Sequence, residues 1–292
     1  MKENNKNKNR LSSHRAWLTV LAVVFFIYSL TLILPCLWLV YNSVKTKMEF
    51  FFNPWAVPEN IFANLKNYIV VFSDFGVGQM FLHTIFLAVC SPLISLFCHC
   101  CTAYAYARHR FKLKGVLYAL MIVPMLVNIA GTLPTTYKLI CDLGIYDNII
   151  LILVLQASGG GFNFLLIGSV FENMSNTYKE AAQMDGAGHW RIFLTIYVPQ
   201  ASNLLVSLYI LAFINVWNDY TTPYLYLPSF PTLATGVQQI QQMVQNSAGS
   251  KYSDDWPKLF ATMILSILPV LGLFIAFQDR IMTMTAGGGL KE

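Results

Sequence analysis

Long apolar runs separated by short polar segments dominate the sequence. Six of these runs extend over about 20 residues or more, which is the length that an α-helix needs to cross the hydrocarbon core of a bilayer. They cover residues 17–41, 80–107, 115–139, 149–171, 202–225 and 259–277. Because the runs lack the strict apolar–polar alternation of membrane β-strands, the pattern predicts an all-α polytopic membrane protein with six transmembrane helices.

The polar segments divide the chain into four parts. Residues 1–16 predict a disordered cytoplasmic N-terminal tail, and residues 17–79 predict the first transmembrane helix with an external loop after it. Residues 80–279 predict a five-helix core, and residues 280–292 predict a short cytoplasmic C-terminal tail. Inside the core, residues 226–257 predict a long external loop before the last apolar run.

The composition agrees with a membrane protein. Of the 292 residues, 56% are hydrophobic and 11% are charged, whereas soluble domains contain about 25% charged residues. The mean hydropathy is +0.53. All six cysteines lie in or at the end of apolar runs, so we expect no external disulfide framework.

The basic residues indicate the orientation of the chain. They flank the apolar runs, so the net charge of +5 predicts a membrane topology rather than a nucleic-acid-binding surface. One side of the predicted bundle carries most of them: Lys2, Lys6, Lys8, Arg10, Arg15, Arg108, Arg110, Lys112, Lys114, Lys179, Arg191, Arg280 and Lys291. The other side carries Lys45, Lys47, Lys66, Lys138, Lys251 and Lys258. The excess makes the first side cytoplasmic, and an even number of spans places both termini there.

A polar segment rich in small residues, residues 172–199, separates the fourth and fifth apolar runs on the predicted cytoplasmic side. Thr177 and Glu180 have the spacing of a capping box and predict the start of a short helix. Gly186 predicts a turn, and Pro199 predicts a break before the fifth span. On the residues alone, Glu180 serves either as a helix cap or as a contact for a partner protein.

Three stretches of this sequence resemble a known family. Glu180-Ala181-Ala182, followed by Asp185-Gly186-Ala187, resembles the EAA signature of ABC-importer permeases, and in particular the maltose-permease type of inner-membrane subunit in carbohydrate uptake. Trp217-Asn218-Asp219 and the C-terminal Thr285-Ala286-Gly287-Gly288-Gly289-Leu290-Lys291 also fit this group. Val198 and Leu290 depart mildly from its pattern, which otherwise extends over nearly the whole chain.

The resemblance implies a fold, a location and a set of partners. The fold would be that of a type I ABC importer permease with a cytoplasmic coupling helix, in the bacterial cytoplasmic (inner) membrane. The partners would be a second related permease, two ATP-binding subunits and an extracytoplasmic solute-binding protein, with a carbohydrate as substrate. The residues implied in coupling to the ATPase are Glu180, Ala181, Ala182, Asp185, Gly186 and Ala187. Those implied in a tail contact with the ATPase are Gly287, Gly288, Gly289, Leu290 and Lys291.

Nothing in the sequence predicts catalysis or a bound cofactor. The chain has no Gly-x-x-x-x-Gly-Lys-Ser/Thr phosphate loop, so we expect the partner ATPase to use ATP and Mg²⁺. Cys98-His99-Cys100-Cys101 is typical of apolar packing rather than of a metal site, because adjacent residues on a helix point in different directions. We therefore expect a non-catalytic membrane subunit without a metal ion.

Asp219 is the one carboxylate well inside an apolar run. A charge within the membrane is expensive and usually faces a cavity or a partner, which predicts that Asp219 lines the translocation path with Asn215 and Asn218. The alternative places Asp219 at the outer interface, with Trp217 and Tyr220 as aromatic belt residues.

Other functions remain open on the sequence alone. The importer could carry another solute, such as a glycerol phosphate or a polyamine. A self-contained secondary transporter or channel would leave the polar segment unexplained. A membrane enzyme would need converging catalytic residues, which the sequence does not offer.

Overall fold

The fold is described from a computed structural model, which covers residues 2–60, 64–109, 111–126, 132–157, 161–246 and 252–287. Helices form the regular structure of these ranges, and no β-strand occurs in them. The prediction of an all-α fold is therefore confirmed. The helices divide into two compact units, one of residues 1–74 and 240–265 and the other of residues 75–239 and 266–292.

The first unit begins with a long helix, α1, Lys2–Ser43. No proline or glycine interrupts the sequence from Lys2 to Leu34, so residues 2–16 continue the helix of the first apolar run. Residues 2–16, for which a disordered tail was predicted, are therefore part of α1. The other helices that contribute to this unit are α2 (Lys47–Phe52), α3 (Lys66–Asp74), the end of α14 (Leu233–Asn246) and the start of α15 (Trp256–Gly287).

Aromatic rings and one buried lysine hold the first unit together. Trp38 meets Phe260 edge to face at 5.5 Å between ring centres, and Phe50 meets Phe260 in the same way at 5.4 Å. The Nζ of Lys45, whose side chain is 1% exposed, donates to the carbonyl oxygen of Pro54 at 2.6 Å. This ammonium therefore fixes the turn that follows α2.

The second unit is built around α4, Val77–Arg108. This helix packs most extensively against α8, Phe162–Asn173, and α12, Ser202–Asn218. The remaining helices of the unit include α5 (Lys114–Leu126), α6 (Thr132–Asp142), α7 (Ile149–Gln156), α9 (Asn176–Met184), α10 (His189–Ile192), α11 (Val198–Gln200) and α13 (Thr221–Tyr226). A five-residue π-helix, Phe193–Tyr197, lies between α10 and α11.

Three helical segments in the described ranges are long and apolar enough to cross a membrane. They are Trp17–Ser43, Val77–Arg108 and Trp256–Gln278, and they confirm the first, second and sixth predicted spans. A fourth span is possible if His189–Gln200 and Ser202–Asn218, bent by 77° at their junction, cross together. The predicted third and fourth spans are each seen as two shorter helices, separated by residues 127–131 and 158–160, which lie outside the described ranges.

Two boundaries in the C-terminal half differ from the sequence prediction. The fifth run, predicted to 225, is interrupted because α12 ends at Asn218 and a separate short helix, α13, follows. The predicted loop 226–257 contains α14, a helix that was not predicted because many of its side chains are polar. Its buried positions Leu233, Ile240 and Val244 are spaced by seven and four residues, a helical pattern that would have revealed it.

Candidate functional site in residues 172–199

The polar segment, residues 172–199, begins with a helix whose cap differs from the predicted one. Ser175 is the N-cap of α9, and its Oγ accepts a hydrogen bond from the backbone N–H of Thr177 at 3.2 Å. The cap therefore lies two residues before the predicted cap, and the helix begins at Asn176, because serine in an extended conformation caps as well as threonine. Glu180 is then too far along the helix for a capping box, so the prediction that Thr177 and Glu180 form one is wrong.

The end of α9 explains the glycine at position 186. The N–H of Gly186 donates to the carbonyl of Gln183 at 3.0 Å, and the N–H of Ala187 donates to the carbonyl of Ala182 at 2.9 Å. This pair of bonds is a Schellman motif, which needs a left-handed residue where Gly186 has φ of +79°. Gly186 therefore makes the turn that the sequence predicts at this position.

The predicted coupling residues face in two directions. Ala182 and Ala187 are half-buried and pack against the apolar core of the second unit. Glu180, Ala181, Asp185 and Gly186 are exposed. The small size of the two half-buried alanines thus serves the chain's own packing, while the exposed residues remain accessible to a partner.

The exposed side of α9 combines acidic and apolar side chains. Met184 is 89% exposed and Tyr178 is 58% exposed, although both are large apolar residues. The carboxylates of Glu180 and Asp185 have no hydrogen bond or ion pair with any part of the chain that the structure describes. Such a surface presents charged and apolar groups that a protein partner can contact.

The second half of the segment buries one face and leads into α12. Ile192, Phe193 and Tyr197 are each at most 1% exposed, so this half has a buried apolar face. The π-helix places Phe193 and Tyr197 together on that face, and π-helices often mark functional sites. The chain then bends by 77° between Gln200 and Ser202. Pro199, which lacks an amide donor, lies just before this bend, as predicted.

Arg108 joins the polar segment to the rest of the unit, a role that sequence reasoning missed. This arginine is the last residue of α4, and one of its terminal nitrogens donates to the backbone carbonyls of Phe171 and Met174 at the end of α8. The other terminal nitrogen donates to the side-chain oxygen of Asn176, the first residue of α9. In sequence, a basic residue at the end of an apolar helix is indistinguishable from an orientation signal, so no pattern identified this role.

The predicted path residues lie together at the end of α12, in settings that the sequence did not predict. The Oδ1 of Asp219 accepts the N–H groups of Thr221 at 2.9 Å and Thr222 at 3.1 Å, so this carboxylate caps the start of α13. Asn215 and Asn218 are exposed on one face of α12. Neither predicted role of Asp219, lining the path or lying at the outer interface, included this capping of α13.

Trp217 is not an interface residue. It is 4% exposed, and its indole N–H donates to the carbonyl of Ser266 at 3.2 Å. Its ring stacks on Phe213 at 5.6 Å between ring centres. The suggestion that Trp217 belongs to an aromatic belt is therefore wrong, and its indole instead joins α12 to α15.

Two predictions remain, one for the Cys98–Cys101 cluster and one for the C-terminal tail. His99 is buried, and its Nδ1 lies 2.6 Å from the carbonyl oxygen of Ser95 one turn earlier, which occupies this ring nitrogen with a backbone contact. Within the described ranges, no three His, Cys, Asp or Glu side chains converge as metal ligands.

Gly287 is the last residue of α15, whereas the predicted tail contacts Gly288, Gly289, Leu290 and Lys291 lie outside the described residues.

Comparisons with known proteins agree with one another. A family model described as a binding-protein-dependent transport system inner membrane component matches residues 100–282. The chain is 26% identical to a probable ABC transporter permease protein, YurM, of Bacillus subtilis, over 92% of this chain and 87% of that protein. It is 24% identical to the diacetylchitobiose uptake system permease protein NgcG of Streptomyces coelicolor, over 96% of this chain and 91% of that protein.

A solved structure shows the same fold. It is the crystal structure of a bacterial ABC transporter involved in the import of the acidic polysaccharide alginate. One of its chains superposes with a TM-score of 0.78 and is 25% identical, covering 91% of this chain and 97% of that chain.

Proposed function

We propose that the chain, which belongs to the family of binding-protein-dependent transport system inner membrane components, transports a carbohydrate. The chain is the permease subunit of a binding-protein-dependent ABC importer in the inner membrane. The names of its relatives support the substrate class, since NgcG is named for diacetylchitobiose uptake and the solved transporter for alginate import. These names favour a sugar or an oligosaccharide as the substrate over a glycerol phosphate or a polyamine.

The exposed side of α9 is the proposed coupling surface to an ATPase subunit. The observation that carries this proposal is the pair of unpartnered carboxylates, Glu180 and Asp185, beside exposed Met184. Basic side chains of the ATPase would form ion pairs with these carboxylates, and Met184 would enter an apolar cleft of the ATPase. Closure of the ATPase dimer on ATP would then push α9 and change the access of the path.

The chain supplies positioning and a path, and its partners supply the chemical energy. The proposed assembly contains a second related permease, two ATP-binding subunits that use ATP and Mg²⁺, and an extracytoplasmic solute-binding protein. The C-terminal residues from Gly287 to Lys291 would extend along the ATPase. Asn215, Asn218 and Asp219 would line part of the path, where their polar groups suit a hydroxyl-rich substrate.

The proposed topology has six spans and cytoplasmic termini. The third and fourth spans would each contain the two helices that flank residues 127–131 and 158–160. The fifth would consist of α12 with α13, and the distribution of lysine and arginine supports a cytoplasmic position for the polar segment. This orientation lets an ATPase reach α9.

Uptake by the reconstituted complex tests the function. The full chain is inserted into proteoliposomes with its partner permease, ATPase subunits and solute-binding protein, and labelled di- and oligosaccharides, glycerol phosphate and a polyamine are offered separately. We expect ATP-dependent uptake of a saccharide and none with an ATPase variant that cannot hydrolyse ATP. Uptake of only a non-sugar solute would contradict the substrate class, and ion-driven uptake without ATPase subunits would contradict the importer.

A further inference from the structure

We propose that Arg108 is the positioning residue that transmits motion of α9 into helices α4 and α8. The inference rests on the proposed function, and it assigns the transmission to one side chain outside the polar segment. Four elements meet at this guanidinium: α4, which carries it, the end of α8, the start of α9 and the π-helix. A displacement of α9 therefore either moves Arg108 or breaks its contacts.

The end of α8 is suited to a guanidinium. The last carbonyls of a helix have no partner within the helix and carry the negative end of its dipole. Arg108 donates to two of these carbonyls, those of Phe171 and Met174, with one terminal nitrogen. The cation therefore satisfies the end of α8 in both hydrogen bonding and charge.

The same side chain reaches α9. Its other terminal nitrogen donates to Asn176, so the two prongs of the planar fork contact different helices. The contact is reciprocated, because the Nζ of Lys179 in α9 donates to the backbone carbonyl of Arg108 at 3.4 Å. A lysine at position 108 has one point charge in place of the fork, so it cannot hold α8 and α9 in the same geometry.

The fourth contact is aromatic. The guanidinium carbon lies 5.0 Å from the centre of the Tyr197 ring, which is within the range of a cation–π interaction. Tyr197 is 1% exposed and also contacts Tyr104 of α4, at 5.0 Å between ring centres. The π-helix that leads into α12 is thereby held to the same side chain as α9.

The junction is not optimised for stability alone. The Nε of Arg108 and the hydroxyls of Tyr104 and Tyr197 are buried and have no hydrogen-bond partner among the described residues. Unpaired buried polar atoms are unfavourable, and a purely structural junction would be more stable with apolar groups in their place. A junction whose contacts rearrange during transport accounts for polar groups that this conformation leaves unused.

The test separates coupling from assembly. Arg108→Gln removes the charge and the fork, Arg108→Lys keeps only the charge, and Lys112→Gln removes an exposed basic residue nearby as the matched control. Each variant is incorporated into the full complex in proteoliposomes, where solute uptake and ATP hydrolysis are measured on the same sample. The readout is the number of ATP molecules hydrolysed per solute transported.

Both Arg108 variants should assemble and hydrolyse ATP while the ratio of ATP to solute rises about tenfold or more, because charge-assisted hydrogen bonds are lost. Lys112→Gln should remain within about twofold of the wild type. An unchanged ratio of ATP to solute in Arg108→Lys would overturn this inference and leave the proposed function standing. A parallel loss of hydrolysis and uptake in both variants would do the same. Failure of the wild-type complex to take up any solute with ATP would instead overturn the proposed function, and with it this inference.

Discussion

The guanidinium of Arg108 lies 5.0 Å from the centre of the Tyr197 ring, and these two residues join segments that are far apart in the sequence. Arg108 ends a helix that is long enough to cross the membrane, whereas Tyr197 belongs to the π-helix that follows the polar segment. Because Tyr197 is fully buried, the ring cannot move away from the cation without disturbing the core. The polar segment is thus fixed to the bundle through Tyr197 and exposed at α9.

Gly186 allows the turn and the docking surface to be tested separately. Its φ of +79° disfavours any other residue, but no atom lies within 4 Å of the position of an added Cβ. Gly186→Ala should therefore destabilise the fold by about 1 kcal/mol through backbone strain alone. Gly186→Arg adds a bulky cation to the exposed surface and should also abolish ATP-driven uptake.

Thermal unfolding and uptake of the assembled complex measure the two effects. Gly188→Ala is the matched control, because Gly188 has an ordinary φ of −71° and the same open space around it. Normal uptake by the Gly186→Arg variant would contradict docking at this turn. A Gly188→Ala variant as unstable as Gly186→Ala would contradict the strain argument.

Glu180 should contribute to ATPase binding and not to stability. Its carboxylate is exposed, so Glu180→Gln should change the free energy of unfolding by less than about 0.5 kcal/mol. The affinity of the ATPase subunit should fall by roughly tenfold, since a buried interfacial charge pair loses one partner. Titration of purified ATPase against the detergent-solubilised permease pair measures this affinity.

The control for Glu180 is Asp142→Asn, which removes an exposed carboxylate on the predicted opposite side of the membrane. It should leave the affinity for the ATPase unchanged. Equal affinities for Glu180→Gln and the wild type would remove Glu180 from the coupling surface. A lowered unfolding temperature would show that Glu180 also serves the chain's own fold.

Two occurrences of one motif show how far the sequence predicts this structure. Thr46 and Glu49 form a capping box at the start of α2, with the N–H of Thr46 donating to Glu49 at 2.6 Å. Thr177 and Glu180 have the same spacing and do not, because Ser175 starts the helix first. The short motif predicts that a helix is nearby, whereas competition between neighbouring caps decides where it begins.

The apolar runs were more predictive than the polar positions within them. Runs of about 20 apolar residues identify the long helices, since a backbone in lipid must satisfy its own hydrogen bonds. The environment of Trp217 depends on Ser266 of another helix, which no local pattern encodes. Asp219 accepts from residues two and three positions later, a local cap that its place inside an apolar run did not suggest. Arg108 is the extreme case, because its partners Phe171, Met174 and Asn176 come from a distant part of the chain.

Acidic conditions should loosen the polar segment through His109. Burial lowers the pKa of His109 below its ordinary value of 6.5, and the neighbouring His189 and Lys179 lower it further. The folded protein therefore keeps this imidazole neutral at a pH where the unfolded chain already binds a proton. The contribution to stability should be lost as the pH falls below about 6.5.

Thermal unfolding of the purified complex between about pH 8 and about pH 5.5 measures this dependence. His109→Gln, which has no titrating group, should reduce the loss of stability at acidic pH. His189→Gln should reduce it partly, because one source of repulsion, whose ring centre lies 5.0 Å from that of His109, is removed. An unchanged pH dependence in His109→Gln would show that other groups control the acid response.

Asp219 should be needed as a hydrogen-bond acceptor more than as a charge. Asparagine at this position keeps the Oδ1 that accepts the N–H groups of Thr221 and Thr222, whereas alanine removes it. We therefore expect Asp219→Ala to lower the free energy of unfolding by about 0.5–2 kcal/mol, as the loss of a helix cap does. Asp219→Asn should remain close to the wild type in thermal unfolding and in the uptake of a neutral saccharide. If Asp219→Asn unfolds like the wild type yet transports nothing, the carboxylate charge itself acts in the path, and the cap is secondary.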